Sequence, residues 1–342
     1  MESRLISVIN EQVWQKVSEP LERAWTLPPK AYTDDGIFKT EIEMIFKKDW
    51  VCVARQEQVA EPGDFICSDL PGQPIVVVKD QSGNLRALSR ICLHRSMPLI
   101  EGEGNTTRLT CPYHNWTYEL DGRLRSAPMM DGLEDFDPSK CQLPGLQLEV
   151  WQGFIFVNQD DQAEPLAPQL EKFSALLENY EFDRLEVIET IEFPSPYNWK
   201  ILVENFMEAY HHIGIHKTTF QPVYPAKDSF AEDNDGKPWS MLRMPGNHEE
   251  DGICVFPKLD AAQQDELFAA CVYPTLLFAA AAMDEQSRTM LKEAVTMVHS
   301  EDIGANEGVW KGLQAGSTVQ GRLSLFEKPI WQLNQLWLER MA

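Results

Sequence analysis

The chain has 342 residues, 43% of them apolar and 24% charged, about twice the ~150 residues of a typical domain and apolar enough to bury a sizeable core. These values exclude intrinsic disorder, a collagen-like repeat and a disulfide-stapled mini-protein. The net charge is −23, from 30 Lys and Arg against 53 Asp and Glu. It repels phosphate backbones, so neither nucleic acid nor an anionic membrane is an expected partner.

The longest apolar stretch, 17 residues from Leu267 to Met283, is interrupted by Pro274 and Thr275 and falls short of the ~20 residues of a membrane-spanning helix. The chain opens Met-Glu-Ser-Arg with no apolar signal core, so a cytoplasmic location is expected. Seven cysteines are an odd number. Without an export signal they point to free thiols or a metal cofactor rather than to a disulfide framework.

Residues 1–48 hold two charged, amphipathic stretches on either side of Pro28, Pro29 and Lys30, which predict a helical N-terminal extension packing on the second domain. From Trp50 the texture changes to short β-rich runs at 50–55, 63–69, 74–79, 85–92, 108–118 and 146–158. Turn signals separate them: Pro-Gly at 62–63 and 71–72, Ser-Gly-Asn at 82–84, Asp-Gly at 121–122. An all-β module over residues 49–160 follows. The acidic, Pro-bearing stretch Asp160 to Pro168 reads as a linker. Residues 161–342 then predict a helix at 169–180, a strand at 185–193, and a helix beginning near Asn198. Strands at 253–256 and 271–278 and a helical run from about Leu323 complete it. Strands with segregated helices make this second domain α+β.

Two Cys/His pairs stand in the β module, Cys92-Leu93-His94 and Cys111-Pro112-Tyr113-His114, with 16 residues between them. Each lies where a β-run ends in a loop, so two loop tips can close on one centre. Four such ligands suit a tetrahedral zinc or a [2Fe–2S] cluster with two thiolates on one iron and two imidazoles on the other. Zinc fingers pair Cys with Cys and His with His. Here each loop supplies one of each, which favours the cluster. Imidazole ligation would raise its potential to roughly −150 to +300 mV. Cys52, Cys67, Cys141, Cys254 and Cys271 lack ligand spacing and read as packing residues.

The runs CLHR at 92–95 and CPYHNWTYELDGRL at 111–124 resemble the Rieske signature, and their wording is similar to the Rieske domains of bacterial ring-hydroxylating and related oxygenases. The resemblance runs from about residue 40 to the end. It implies a Rieske [2Fe–2S] domain followed by a larger catalytic domain with an antiparallel sheet and helices, of helix-grip type, holding a mononuclear Fe(II).

A second constellation lies in NWKILVENFMEAYHHIGIH, 198–216. Ile201, Leu202, Phe206 and Tyr210 form a helical apolar stripe, and Asn205, Glu208 and His211 follow one another at spacings of three on one face. Three histidines beside Glu208 point to a metal. Spacing alone leaves two pairs open. His212 and His216 chelate from an ideal helix, whereas His211 and His216 need the helix to end or bulge, which Gly214 permits. In Rieske oxygenases this segment reads Asn-x2-Asp/Glu-x2-His-x4-His, and Asn205, Glu208, His211 and His216 match it in order. The resemblance therefore implies His211 and His216 as iron ligands, with Asn205 near the iron and shaping access to it. A 2-His-1-carboxylate site needs a third ligand. The resemblance implies Asp302, an Asp after an acidic residue at the start of a C-terminal helix; Glu301 and Asp284 compete.

The family's chemistry implies O2, a small organic substrate and electrons from an NAD(P)H-dependent reductase or a ferredoxin. It also implies a homotrimer in which electrons cross between subunits, with Glu208 bridging a Rieske histidine and His211 of the next subunit, or else serving one subunit only. Candidate pocket walls are Phe206, Met207, Phe256, Tyr273, Leu277 and Phe278, all of which also read as plain core. The acidic stretches 228–235 and 249–251 read as solvated loops or a lid. The expected activity is hydroxylation or dihydroxylation of an aromatic or heteroaromatic substrate. The alternative is a monooxygenase or demethylase acting on a quaternary amine or an N- or O-methyl substrate. Glu208 favours this alternative, because family members acting on carnitine and choline usually carry Glu where ring dihydroxylating members carry Asp. A non-enzymatic Rieske electron carrier would need only the β module.

Overall fold

The computed structural model describes residues 11–246, 258–281 and 285–342. Its contacts separate two units, one of residues 46–166 with 182–190, the other of residues up to 45 with 167–181 and 191–342. The predicted strand at 253–256, Cys254, Phe256, Asp284 and the acidic residues 249–251 lie outside the described residues.

The first unit is antiparallel β. Strands β1 (Val51–Arg55), β2 (Asp64–Leu70), β3 (Gln73–Lys79), β4 (Leu85–Ser89) and β5 (Glu103–Asn105) are followed by the short β6 (Leu109–Thr110), β7 (Thr117–Tyr118) and β8 (Leu124–Ser126). Then come β9 (Gly145–Trp151) and β10 (Phe154–Asn158). Seven form a sheet in the order β1-β10-β9-β4-β3-β2-β5, and β6-β7-β8 form a second. Ile75 to Val78 in β3 are wholly buried, the continuous apolar run of a central strand covered on both faces.

Two predicted runs are interrupted. The stretch 146–158 is a hairpin whose turn, Gln152-Gly153, holds both residues at positive φ, 52° and 78°, the backbone of a tight two-residue connection. The stretch 108–118 breaks into β6 and β7 around the loop that carries Cys111 and His114. The expected strand at 185–193 does not form: residues 185–196 carry no regular structure. The preceding segment is instead fastened to β1 by side chains. Arg55 Nη2 donates to the carbonyls of Phe182 at 2.9 Å and Leu185 at 2.7 Å, and Val187 N–H donates to Glu57 at 3.1 Å. That fastening is why 182–190 joins the β unit and not the α+β one.

In the second unit, helices α1 (Glu11–Ser18), α2 (Asp35–Glu41), α3 (Glu171–Leu177), α4 (Trp199–Phe206), α5 (Glu285–Leu313) and α6 (Lys328–Met341) accompany a sheet. The sheet is β11 (Phe230–Ala231), β12 (Trp239–Pro245), β13 (Glu266–Val272) and β14 (Leu276–Ala281), antiparallel and in chain order. The predicted single strand at 271–278 spans the β13–β14 turn. Among the described residues no helix is long and apolar enough to cross a membrane. Met207 and Tyr273, two candidate pocket walls, are buried in the core beside Leu242 and Trp337, and Phe206 and Leu277 pack against it. The ring of Phe278 packs on Phe173 and Phe268. The acidic stretch 228–235 is a brace, not a lid. Lys172 of α3 donates to the Asp233 carbonyl and to Asp235, and Lys328 of α6 pairs with Asp233.

One ion pair is buried in this core. Lys200 is 4% exposed and Glu41 0%, and the Lys200 ammonium donates to Glu41. Glu41 also accepts from Trp199 Nε1 at 3.0 Å and Trp337 Nε1 at 2.7 Å, so the end of α2, α4 and α6 meet on one carboxylate. Nearby, Tyr32 donates to Glu204 at 2.6 Å. Burial pushes the Glu204 carboxyl up to about 7.

Removing one partner of a buried pair strands the other charge. Glu41→Ala should cost about 3–5 kcal/mol in a urea melt; a loss under about 1 kcal/mol, as at exposed pairs, would contradict this account. Glu204 releases its proton near pH 4.5 in the unfolded chain and near 7 in the fold. The stability it contributes is therefore full below pH 4.5 and falls as pH rises toward 7. Glu204→Gln should flatten the stability profile across that window in melts at several pH values.

Candidate metal centres

The first candidate centre lies in the β unit, in the two Cys/His loops, and their main chains are built alike. Cys92 N–H donates to the Met97 carbonyl at 2.9 Å, and the Cys92 carbonyl accepts from Ser96 N–H at 3.1 Å. Cys111 N–H donates to the Trp116 carbonyl at 2.7 Å, and its carbonyl accepts from Asn115 N–H at 3.0 Å. Ser96 and Asn115 hold the equivalent positions with φ of 56° and 57°, left-handed backbone in which a short polar side chain is best tolerated.

Both thiols are buried, 2% exposed for Cys92 and 1% for Cys111. The two imidazole rings lie edge to face with centroids 4.6 Å apart. Trp116 stacks on His94 at 5.1 Å, nearly parallel. The Tyr118 hydroxyl accepts from Leu93 N–H at 3.0 Å and sits 3.5 Å from Cys92 Sγ. The Nδ1 atoms of His94 and His114 are buried with no hydrogen-bond partner, a costly state for a ring nitrogen unless it holds a metal. Among the described residues, no three of these four ligands bring their ligand atoms within 4.8 Å of one another. A tetrahedral zinc with bonds of about 2.0–2.3 Å would draw all four closer than that. The donor set and its spread fit a binuclear cluster.

The second candidate centre is in the α+β unit. Asn198 caps α4, accepting from Lys200 N–H at 3.1 Å. The helix stops at Phe206, as the His211/His216 pair requires, and a single 3-10 turn, Tyr210–Ile213, follows. Gly214 and Ile215 N–H donate back to the His211 carbonyl at 2.9 and 3.0 Å. The break lets residues five apart face one point. His211, His216 and Asp302 bring ligand atoms within 4.8 Å of one another, alone in doing so among the described residues. His216 Nε2 is 3.0 Å and His211 Nε2 3.7 Å from Asp302 Oδ1. Two imidazoles and a carboxylate could hold a divalent iron.

Asp302 lies in the interior of α5, not at the start of a C-terminal helix as expected. Asn205 Nδ2 donates to Asp302 Oδ1 at 3.2 Å, and Asn306, one turn along α5, donates to Asn205 Oδ1 at 3.3 Å. Glu208 takes His211 by both ring and backbone: Oε1 is 2.6 Å from Nδ1, and Oε2 accepts from the backbone N–H at 2.9 Å. Glu301 Oε2 is 2.7 Å from His216 Nδ1 and accepts from Thr219 at 3.0 Å. His212 is turned away, its Nδ1 3.2 Å from the Tyr224 carbonyl, and burial pushes it down to about 4, so it is neutral. Burial also works against charge on His216, but its bonds to Asp302 and Glu301 outweigh this and raise it. Burial would raise the Asp302 carboxyl, and His216, His211 and Asn205 bring it below the usual range. Sequence reasoning missed Thr219, Asn306, Trp116 and Tyr118. The i, i+4 spacing of Asp302 and Asn306 was the one available signal.

Residues 49–137 match the Rieske [2Fe–2S] domain and residues 182–251 the catalytic domain of ring-hydroxylating alpha subunits. The carnitine monooxygenase oxygenase subunit of Acinetobacter baumannii is 37% identical over 55% of this chain and 52% of its own length. The glycine betaine monooxygenase oxygenase subunit of Chromohalobacter salexigens is 34% identical over 56% and 43%. These alignments span about half the length of the curated relatives. A solved quaternary ammonium Rieske monooxygenase, described for carnitine oxidation by gut microbiota and inter-subunit electron transfer, superposes with a TM-score of 0.82 at 28% identity, covering 93% of this chain and 96% of that one. Naphthalene 1,2-dioxygenase from Rhodococcus sp. shares the fold, with a TM-score of 0.79 at 17% identity over 97% and 98%. With the cluster loops in one unit and the His-His-Asp group in the other, the chain carries a Rieske [2Fe–2S] domain and a ring-hydroxylating alpha-subunit catalytic domain, and it is similar to Rieske oxygenase subunits.

Proposed function

We propose that this chain is the terminal oxygenase of a multicomponent system that hydroxylates a quaternary ammonium substrate, taking electrons from an NAD(P)H-dependent reductase or a ferredoxin. The observation that carries the oxygenase reading is the convergence of His211, His216 and Asp302 within 4.8 Å. An electron carrier has no use for that group. When bound, the cluster supplies one-electron transfer and the mononuclear iron supplies O2 activation.

The chain's own residues do the rest. Cys92, Cys111, His94 and His114 would hold the cluster, and His211, His216 and Asp302 the ferrous ion. Glu208 keeps the proton on His211 Nδ1, which leaves Nε2 free to ligate. Asn205 donates to the Asp302 carboxylate and steadies its orientation. In a homotrimer, which this reading includes, Glu208 would also be the bridge to the cluster of the next subunit.

The carnitine and glycine betaine relatives favour the quaternary amine over the aromatic ring, since the naphthalene dioxygenases share the fold alone. Aromatic rings near the histidines support this reading. The Phe220 ring lies 5.4 Å from the His212 ring and 5.5 Å from the His216 ring, with Tyr224 against Phe220. Such faces attract an ammonium group that carries no N–H donors.

With a surrogate reductase, carnitine, glycine betaine or choline should drive O2 uptake that matches oxygenated product, while naphthalene and indole should not. Coupled product from the aromatic compounds alone would overturn the substrate class. His211→Ala should abolish turnover and leave the visible absorption of the cluster intact, as read from paired activity and spectra. Retained turnover in that variant would remove His211 from the ligand set.

A further inference from the structure

The geometry points to Glu301 as a positioning residue that fixes the ring of His216, so that each iron histidine has a glutamate of its own. The inference rests on the iron-site reading above and deepens it.

His216 is 1% exposed, and both of its ring nitrogens are engaged by neighbouring residues of α5. Nδ1 lies 2.7 Å from Glu301 Oε2, and Nε2 lies 3.0 Å from Asp302 Oδ1. Successive residues of one helix thus take opposite ends of one imidazole. Glu301 is on the side away from the group formed by His211, His216 and Asp302, so its carboxylate is not a ligand in this arrangement. Its role is to accept the Nδ1 proton. That settles the tautomer, leaves the Nε2 lone pair for the metal and raises the basicity of the ring.

The carboxylate is itself held. Thr219, three residues beyond His216, donates to the same oxygen at 3.0 Å. The arrangement repeats at His211, where Glu208 plays the matching part. The two anchors differ in origin. Glu208 comes from the same turn as its histidine, whereas Glu301 reaches across from a helix 85 residues away, so it ties the His216 loop to α5 as well as orienting the ring.

The test is ferrous affinity, measured anaerobically by titrating Fe(II) into protein that keeps its cluster but has lost its mononuclear iron, with the cluster absorption as the control for folding. Wild-type protein should bind one further Fe(II), and Asp302→Ala should abolish that binding. If wild type takes up no further iron, the site reading itself fails. Given those controls, Glu301→Ala should weaken binding by about 10–100-fold. Glu301→Gln should recover most of the loss, because the amide oxygen still accepts from Nδ1–H. Thr219→Val should weaken binding by a smaller factor. An unchanged affinity in Glu301→Ala overturns the proposal. So does complete loss with no recovery in Glu301→Gln, which would make Glu301 a ligand.

Discussion

A histidine can offer one ring nitrogen to a metal only while the other keeps its proton, and keeping it there needs an acceptor fixed in place. In the proposed iron site the larger unit meets that condition twice. For His211 the acceptor is local: α4 must end at Phe206 so that Glu208 can fold back on the turn that follows. For His216 the acceptor arrives from α5, which must pass close enough to α4 for Asn205 to reach Asp302. Asp302 and Asn306 sit one turn apart on the same face of α5, and Trp310 continues that face into the core. The register of a single helix therefore sets the proposed third ligand, the brace on that carboxylate and the packing beneath it.

The position of α4 has its own support. Lys200 and Trp199 begin the helix, and both end on Glu41, which Trp337 of α6 also reaches. A buried carboxylate with three donors from two helices is costly to form and more costly to disturb. It fastens the residues before position 45 and the C-terminal helix to the element that leads into the turn carrying His211. The site is thus positioned by polar contacts that tolerate little rearrangement, with apolar packing around them.

Much of this was legible from the sequence, and the division follows how far apart the cooperating residues lie. The cluster ligands sit at short, rigid spacings, so four residues within 23 positions were enough to name a family. The segment 198–216 was equally local, yet its spacing left His211 and His212 both open, because spacing alone does not show that the helix ends at Phe206. Asp302 came from resemblance and not from pattern. Glu301 was read as a rival ligand, since nothing local reveals that its partner is His216. Strand limits failed where a turn lacks strong punctuation, as at Gln152-Gly153. The expected strand at 185–193 does not form: Leu185 and Val187 spend backbone groups on the side chains of Arg55 and Glu57 and not on a neighbouring strand.

The two cluster loops share one main-chain clasp, closed by the same two hydrogen bonds and the same left-handed residue. They differ in where the histidine is strung, two residues after the cysteine in one and three in the other. Ligand placement is thereby separated from loop folding: the backbone supplies a common socket, and a one-residue shift in side-chain position decides which way each imidazole faces. A centre whose two halves carry different donors can then be assembled from a single structural unit used twice, with its asymmetry written entirely in side-chain order.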